Sequence, residues 1–245
     1  MKNVSAIILA AGKGTRMQST DTNKVAMNVS GEPMLSRTLR ILRESGISQF
    51  IVVVGFAKES VLSLLPKDVI VAEQTEQLGT GHAVLCALEK VPMATQDVLI
   101  VYGDDSFLHT PATFQSLYNT HEETDAKITF ITMDAPDPTG FGRIIRDSNG
   151  EIVGIVEEKN ATEKERQIRE INLGCYIIDR AYLEENIKNI SKNPVTGEYY
   201  ITDIIDIISS HHGKISSYKL TDQKWQGVNT REDLTEAEKL VAYGS

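Results

Sequence analysis

Apolar residues in the first hundred positions fall into short continuous runs separated by stretches of helical periodicity. Val4–Ala10, Phe50–Val54, Val69–Ala72 and Asp97–Tyr102 (DVLIVY) are the runs. Runs of this length predict strands of a parallel sheet covered on both faces. Between them, Leu35, Leu39 and Leu42 recur at helical spacing. Val29–Pro33 reads as a turn whose proline opens that helix, and Gly46 stops it. Ala57–Leu65 and Gly81–Lys90 also read as helices, whereas Asp21–Lys24 reads as a polar loop. Such alternation predicts a doubly wound sheet built from right-handed crossovers.

The second half is patterned differently. Thr113–His121 predicts a helix and Lys127–Met133 a strand. Gly142–Asp147 and Glu151–Glu157 flank Asn149-Gly150, a strong hairpin signal. Ile171–Ile178 predicts a strand. Glu198–Ser210 predicts a helix with Ile201, Ile204, Ile205 and Ile208 on one face, closed by Gly213. Ile215–Leu220 and Arg231–Ala242 read as a late strand and a final helix. The expected class is therefore α/β: a doubly wound, Rossmann-like, mixed but mostly parallel sheet with a small antiparallel region. No internal repeat, low-complexity tract or interdomain linker stands out.

Composition narrows the function classes. The chain has 245 residues, 41% hydrophobic and 24% charged, as in ordinary soluble proteins. A net charge of −9 argues against nucleic acid as a partner, because duplex binding relies on clustered Lys and Arg. An anionic ligand must then be held by a local positive pocket. Cys86 and Cys175 lie in apolar contexts and read as buried thiols of a reducing compartment. No stretch reads as a signal peptide or reaches the ~18 apolar residues of a membrane span. A cytoplasmic location is expected.

Chemistry concentrates after the first run. Ile7–Met17 reads IILAAGKGTRM, an apolar strand entering a glycine turn that carries Lys13 and Arg16, with Lys24 a short distance on. Glycines without Cβ let backbone N–H groups converge on an anion, so this is a phosphate cradle. Met17 stands where the dinucleotide fingerprint needs its third glycine, which argues against a nicotinamide oxidoreductase. Gly12 and Gly14 are too close for a Walker loop, and the lysine lies between them. In doubly wound sheets ligands bind beyond the carboxyl ends of the strands. The cradle, Glu73–Gly81 and Gly103-Asp104-Asp105 all fall at such ends.

Asp104 could hold a divalent cation through carboxylate oxygen, or Asp104 or Asp105 could cap the next turn. Asn229, in Gly227-Val228-Asn229, could supply a neutral oxygen to the same ion, or belong to the cap of the last helix. Gln74 and Gln77 offer amides suited to a base edge. His82 reads as a packed helix residue, and His211-His212 as a solvated helix end without a third ligand. The Gly142 amide, Glu157 and Asn172 are groups of the kind that hold sugar hydroxyls.

In order, the motifs LAAGKGTRM, EQLGTGHAV, YGD, DPTGFGRIIR, GIVEEKNAT, RQIREINLG, GEYYITDII and GVN span Ile7 to Asn229. In these the chain resembles the uridylyltransferase domain of the bifunctional UDP-N-acetylglucosamine pyrophosphorylase/glucosamine-1-phosphate acetyltransferase family. The resemblance implies a nucleotide-diphospho-sugar transferase fold of the GT-A-like type in one domain over 1–245. Its nucleotide part would cover about 1–110, its sugar part about 111–229, with a C-terminal helix over 230–243. It implies UTP and a sugar 1-phosphate as partners, Mg²⁺ as cofactor, and UDP-N-acetylglucosamine and pyrophosphate as products. Leu9, Ala10, Ala11, Gly12, Lys13, Gly14, Gln74, Gln77, Gly79 and Thr80 would bind the nucleotide, with Gly12–Lys13 and Arg16 on the triphosphate and Gln74, Gly79 and Thr80 on the uracil. Arg16, Lys24 and Asp104 would be catalytic, with Asp104 and Asn229 on the metal. Tyr102, Gly103, Gly142, Glu157, Asn172 and Asn229 would hold the sugar phosphate.

Three departures accompany the likeness. Asn23 stands where the family has proline, and Ser106-Phe107 replaces a proline and an aliphatic residue after YGD, next to the expected sugar pocket. The acetyltransferase β-helix domain does not follow, so acetyl transfer and its trimer are not carried over. The rival readings are the same chemistry on another hexose 1-phosphate or with CTP or dTTP, and a non-catalytic nucleotide-sensing module.

Overall fold

The computed structural model describes residues 1, 3–14, 21–221, 225–228 and 230–243. The strands are β1 (Val4–Ala10), β2 (Asn28–Val29), β3 (Glu32–Pro33), β4 (Gln49–Val54), β5 (Ile70–Glu73), β6 (Asp97–Tyr102), β7 (Ile128–Asp134), β8 (Arg143–Arg146), β9 (Ile152–Val156), β10 (Glu170–Asp179) and β11 (Ile215–Lys219). The helices are α1 (Met34–Glu44), α2 (Lys58–Leu62), α3 (Thr80–Leu88), α4 (Pro111–Thr124), α5 (Glu163–Arg166), α6 (Arg180–Asn186), α7 (Ile204–Ser210) and α8 (Arg231–Tyr243). Among the described residues no helix is long and apolar enough to cross a membrane.

The main sheet runs in the order β11-β7-β10-β6-β1-β4-β5. The pairs β6–β1, β1–β4 and β4–β5 are parallel, as is β7–β11, while β10 is antiparallel to both β6 and β7. A mixed, mostly parallel sheet is thus what the alternation predicted. The seven residues of β1 are all buried, as expected of a central strand with helices on both faces.

Side-chain alternation splits that strand between two cores. Ile7 and Leu9 pack with Ile51, Val53 and Ile100 against α3, α6 and α7. Ala6, Ile8 and Ala10 pack with Val52, Val54 and Val101 against α1 and α4. Burying each large aliphatic side chain contributes about 1.5–3 kcal/mol, so these faces fix the register that aims the strand ends. A third, smaller core lies under α8, where Ala237 and Val241 cover Val29, Met34, Phe107 and Leu108.

Several boundaries differ from the sequence reading, for identifiable reasons. The α7 region starts with a 3-10 turn at Ile201–Asp203, and residues 198–200 are not helical. Tyr199 there gives its N–H to the Leu78 carbonyl and accepts from Gly81, each at 2.8 Å. The β8–β9 hairpin has a longer loop than the Asn-Gly signal implies. Asp147 folds its carboxylate over that loop, accepting from the N–H groups of Asn149 at 2.8 Å and Glu151 at 2.9 Å.

The sheet forks at β10. Its Cys175–Asp179 part pairs with β6, whereas Ile171 pairs with Arg143 of β8. A bulge between Asn172 and Tyr176 marks the change. Gly174 sits there at φ +67°, and a Cβ on it would stand 2.4 Å from the Tyr102 ring. The missing side chain is what lets Tyr102, at the end of β6, lie across the fork.

Candidate active site

A cleft of about 690 Å³ opens beyond the carboxyl ends of β1, β5 and β6, where doubly wound sheets place their ligands. Of the residues singled out from the sequence, it is lined by Leu9, Ala10, Ala11, Gly12, Lys13, Gly14, Lys24, Gln74, Gln77, Gly79, Thr80, Tyr102, Asp104 and Glu157. Arg16 and Asn229 lie outside the described residues. Gly103, Gly142 and Asn172 do not line the cleft. Gly103 instead packs on Val25 and the Leu9 carbonyl.

The cradle wall is Ala11–Gly14. Gly14 takes φ +52°, and its α-carbon lies so close to the Lys24 stem that a Cβ would stand 3.3 Å from Lys24 Cβ. Glycine there satisfies both the left-handed backbone and the close approach. Nothing lies within 4 Å of a Cβ placed on Gly12, so that backbone faces open space.

Lys24 crosses the cleft floor. It is 9% exposed, ion-pairs with Asp104 and donates to the Val228 carbonyl. The 225–228 segment is fixed beneath the same turn. Trp225 Nε1 donates to the Asp105 carbonyl at 3.0 Å, and the Val228 N–H to Asp105 Oδ1 at 3.2 Å. Asp105 is therefore a support of the turn. Asp104, at 20% side-chain exposure, remains open to the cleft.

One side of the cleft is built from the β5–α3 loop. Gln74 gives its carboxamide N–H to the Gly79 carbonyl at 2.9 Å, and Gln77 reaches the Gln74 carbonyl at 3.1 Å. Gly79, at φ +102°, could not carry a Cβ, which would fall 2.5 Å from the Tyr199 carbonyl. The Thr80 hydroxyl accepts from the Ile201 N–H at 2.9 Å. Residues 198–202 therefore close the cleft over the start of α3.

Opposite stands a connected polar cluster. Thr202 donates to Glu157 at 3.2 Å. Burial pushes the Glu157 carboxyl above its ordinary range, opposed by that hydrogen bond and by Arg143. Burial likewise raises the Tyr102 and Tyr176 phenols, so both are neutral donors at pH 7. Asn172 donates to the Tyr176 hydroxyl at 2.5 Å and accepts from the Gly174 N–H at 3.1 Å, while its own N–H meets the Gly142 carbonyl at 2.9 Å. Asn172 and Gly142 thus back the wall that Tyr102 and Glu157 present.

Asn23, Val25, Ala83, Asp105, Glu198, Tyr200 and Thr202 line the cleft without having been singled out as site residues. The paired glycines Gly79 and Gly81 were the sequence signal for the 198–202 strip, because two such positions before a helix leave room for another backbone. Ser106-Phe107 corrects an expectation. Both residues are fully buried, and Phe107 packs under α8 with Met34 and Val228, so neither lines the cleft.

Among the described residues no group of three or more His, Cys, Asp or Glu forms a metal cage. Beside Asp105, whose Oδ1 is taken by the Val228 N–H, Asp104 offers a cleft-facing carboxylate just beyond the end of β6. That suits a hard cation such as Mg²⁺, which keeps waters and phosphate oxygens in its shell.

The family model for nucleotidyl transferases matches residues 5–243. The bifunctional protein GlmU of Heliobacterium modesticaldum is 43% identical over 242 residues, covering 98% of this chain and 52% of that protein. GlmU of Thermoanaerobacter pseudethanolicus is 41% identical over 241 residues, with 98% and 52% covered. The chain spans about half the length of the curated relatives it matches. A crystal structure from Bacillus anthracis, described as a candidate glucose-1-phosphate thymidylyltransferase in complex with sucrose, superposes with a TM-score of 0.81. It covers 97% of this chain and 94% of its own at 21% identity, which speaks to the fold alone.

Proposed function

The chain belongs to the nucleotidyl transferase family, and from that premise we propose that it forms UDP-N-acetylglucosamine and pyrophosphate from UTP and N-acetylglucosamine 1-phosphate. An oxygen of the sugar 1-phosphate attacks the α-phosphorus of UTP, the bond to the β-phosphate oxygen breaks, and pyrophosphate leaves in line. The attacking group is already an anion, so no protein base is needed. Catalysis then rests on positioning and on charge.

The observation that carries this reading is the Lys24–Asp104 pair on the cleft floor, between the glycine cradle and the Tyr102–Glu157 wall. Backbone N–H groups at Gly12–Gly14 and the Lys13 ammonium take the triphosphate. Lys24, oriented by Asp104 and Val228, faces the reacting phosphates. Gln74, Gly79 and Thr80 meet the base, and Tyr102 and Glu157 the sugar. Asp104 would hold Mg²⁺, which when bound neutralises phosphate charge. Arg16 and Asn229 are proposed partners from the resemblance alone.

Pyrophosphate release from UTP with N-acetylglucosamine 1-phosphate tests the reading, run beside glucose 1-phosphate at saturating UTP and Mg²⁺. We expect the acetylated sugar to be favoured in kcat/KM, since a site that hydrogen-bonds a substrate group discriminates against the analogue lacking it. Equal efficiency would overturn the sugar assignment, and no turnover with either would overturn the activity.

A further inference from the structure

His82 has no place in the phosphate chemistry, yet its contacts decide what the base side of the cleft can read. Gln74 is 3% exposed and lines the cleft. Its Nε2 stands 2.9 Å from the Gly79 carbonyl oxygen and 3.1 Å from His82 Nδ1. A carbonyl oxygen only accepts, so the nitrogen end of the carboxamide must face Gly79. The same nitrogen then donates to His82, and Nδ1 must be the bare, accepting nitrogen of a neutral ring. The ring proton is left on Nε2, which faces Cys86 Sγ at 3.8 Å, a weak acceptor one helical turn along the same face of α3.

Two acceptors therefore converge on one end of Gln74, and its Oε1 is the end offered to a ligand. Turning the carboxamide over would set oxygen against both the Gly79 carbonyl and His82 Nδ1. Gly79 alone makes one hydrogen bond to the amide, and His82 makes the second that resists its swing.

We propose that His82 is a positioning residue for nucleobase selection, holding Gln74 with its oxygen toward the base so that the site takes a pyrimidine bearing an N–H at ring position 3. Uracil and thymine carry that donor. Cytosine carries a lone pair at the same position, and two acceptors face each other. The inference rests on the nucleotidyl transfer reading and deepens it, because it assigns the selectivity to a residue that touches no substrate.

The test compares His82→Leu, which removes the acceptor, with His82→Asn, which restores one at the δ position. Binding of UTP and of CTP to the full chain is measured by calorimetry, beside pyrophosphate release with N-acetylglucosamine 1-phosphate. Wild type should favour UTP. His82→Leu should lose about tenfold of the UTP-to-CTP ratio, the worth of one hydrogen bond, through KM and Kd with kcat retained. His82→Asn should keep most of the ratio, and it still decides the matter if the leucine variant does not fold. A leucine variant with an unchanged ratio would overturn the proposal. So would an asparagine variant that loses selectivity as fully as leucine, or losses equal for both nucleotides. Should wild type bind both nucleotides without turnover, the function above falls, and the binding ratios still judge His82.

Discussion

Asn23 donates its side-chain amide to the carbonyl of Gly12 at 3.2 Å, from a position that is 1% exposed. The same nitrogen reaches the carbonyls of Ala10 at 3.0 Å and Phe56 at 2.9 Å, and Oδ1 accepts from the Val25 N–H at 3.1 Å. One side chain thus ties the cradle, the loop after β4 and the turn carrying Lys24. A proline here could make none of these bonds, although the observed φ of −68° is one that proline adopts. Asn23→Ala should destabilise the fold by about 2–3 kcal/mol, since buried carbonyls lose their donor, and should lower kcat by loosening Lys24. Asn23→Asp should be worse, because a carboxylate oxygen would face those carbonyls. Urea denaturation together with turnover checks both, and an aspartate variant as stable as the alanine one would refute the assignment.

Asp104→Asn should abolish turnover while leaving the fold in place. The change is nearly isosteric, and its amide oxygen can still accept from Lys24, but the carboxylate proposed to hold the cation loses its charge. Pyrophosphate release across a Mg²⁺ titration, beside circular dichroism, is the check. Near-normal activity at any Mg²⁺ concentration would sink the metal role of this carboxylate.

Lys24→Ala should depress kcat far more than it weakens UTP binding. In the proposed mechanism its charge acts where negative charge crowds in the transition state, and single donors of that kind contribute about 3–4 kcal/mol to the barrier. Steady-state kinetics separates the cases. A change confined to KM would make Lys24 a ground-state binding group.

What the chain reveals about itself depends on how local the cause is. β1 was legible because its seven buried residues are contiguous and the glycine turn follows at once. The cradle, the Gln74 loop and Asp104 were legible for the same reason, each being a polar loop at the end of an apolar run. Residues 198–200 were misread because the isoleucines after them have helical spacing, while their conformation answers to the bare glycines of a distant loop. Helix α6 was hidden because it leaves β10 at once, with Asp179 serving both as strand end and as the cap that accepts from the Tyr182 N–H at 2.8 Å. Phe107 was assigned to the wrong side because only the packing of α8 decides which way it faces. Gly174 could not be read at all, since its reason is the ring of Tyr102.

His109 is a buried group whose charging opposes this fold in acid. It follows the Asp104–Leu108 turn, is 2% exposed, and neither ring nitrogen finds a hydrogen-bond partner among the described residues. Its ring instead packs edge-on against Phe114, with centroids 5.6 Å apart. Burial lowers its pKa from the ordinary 6.5 to about 4. Because the folded value is depressed, the unfolded chain takes up the proton first as pH falls. The stability tied to the neutral ring is therefore full above pH 6.5 and is lost progressively as pH drops toward 4, by about 3 kcal/mol. His109→Phe keeps a ring of similar size, removes two unpartnered nitrogens and should abolish that component. Urea midpoints measured from pH 7 to pH 4 should diverge, the variant gaining on wild type as pH falls. The carboxylates titrate in both proteins, so the difference isolates the histidine, and parallel curves would show that His109 is not the group that answers to acid.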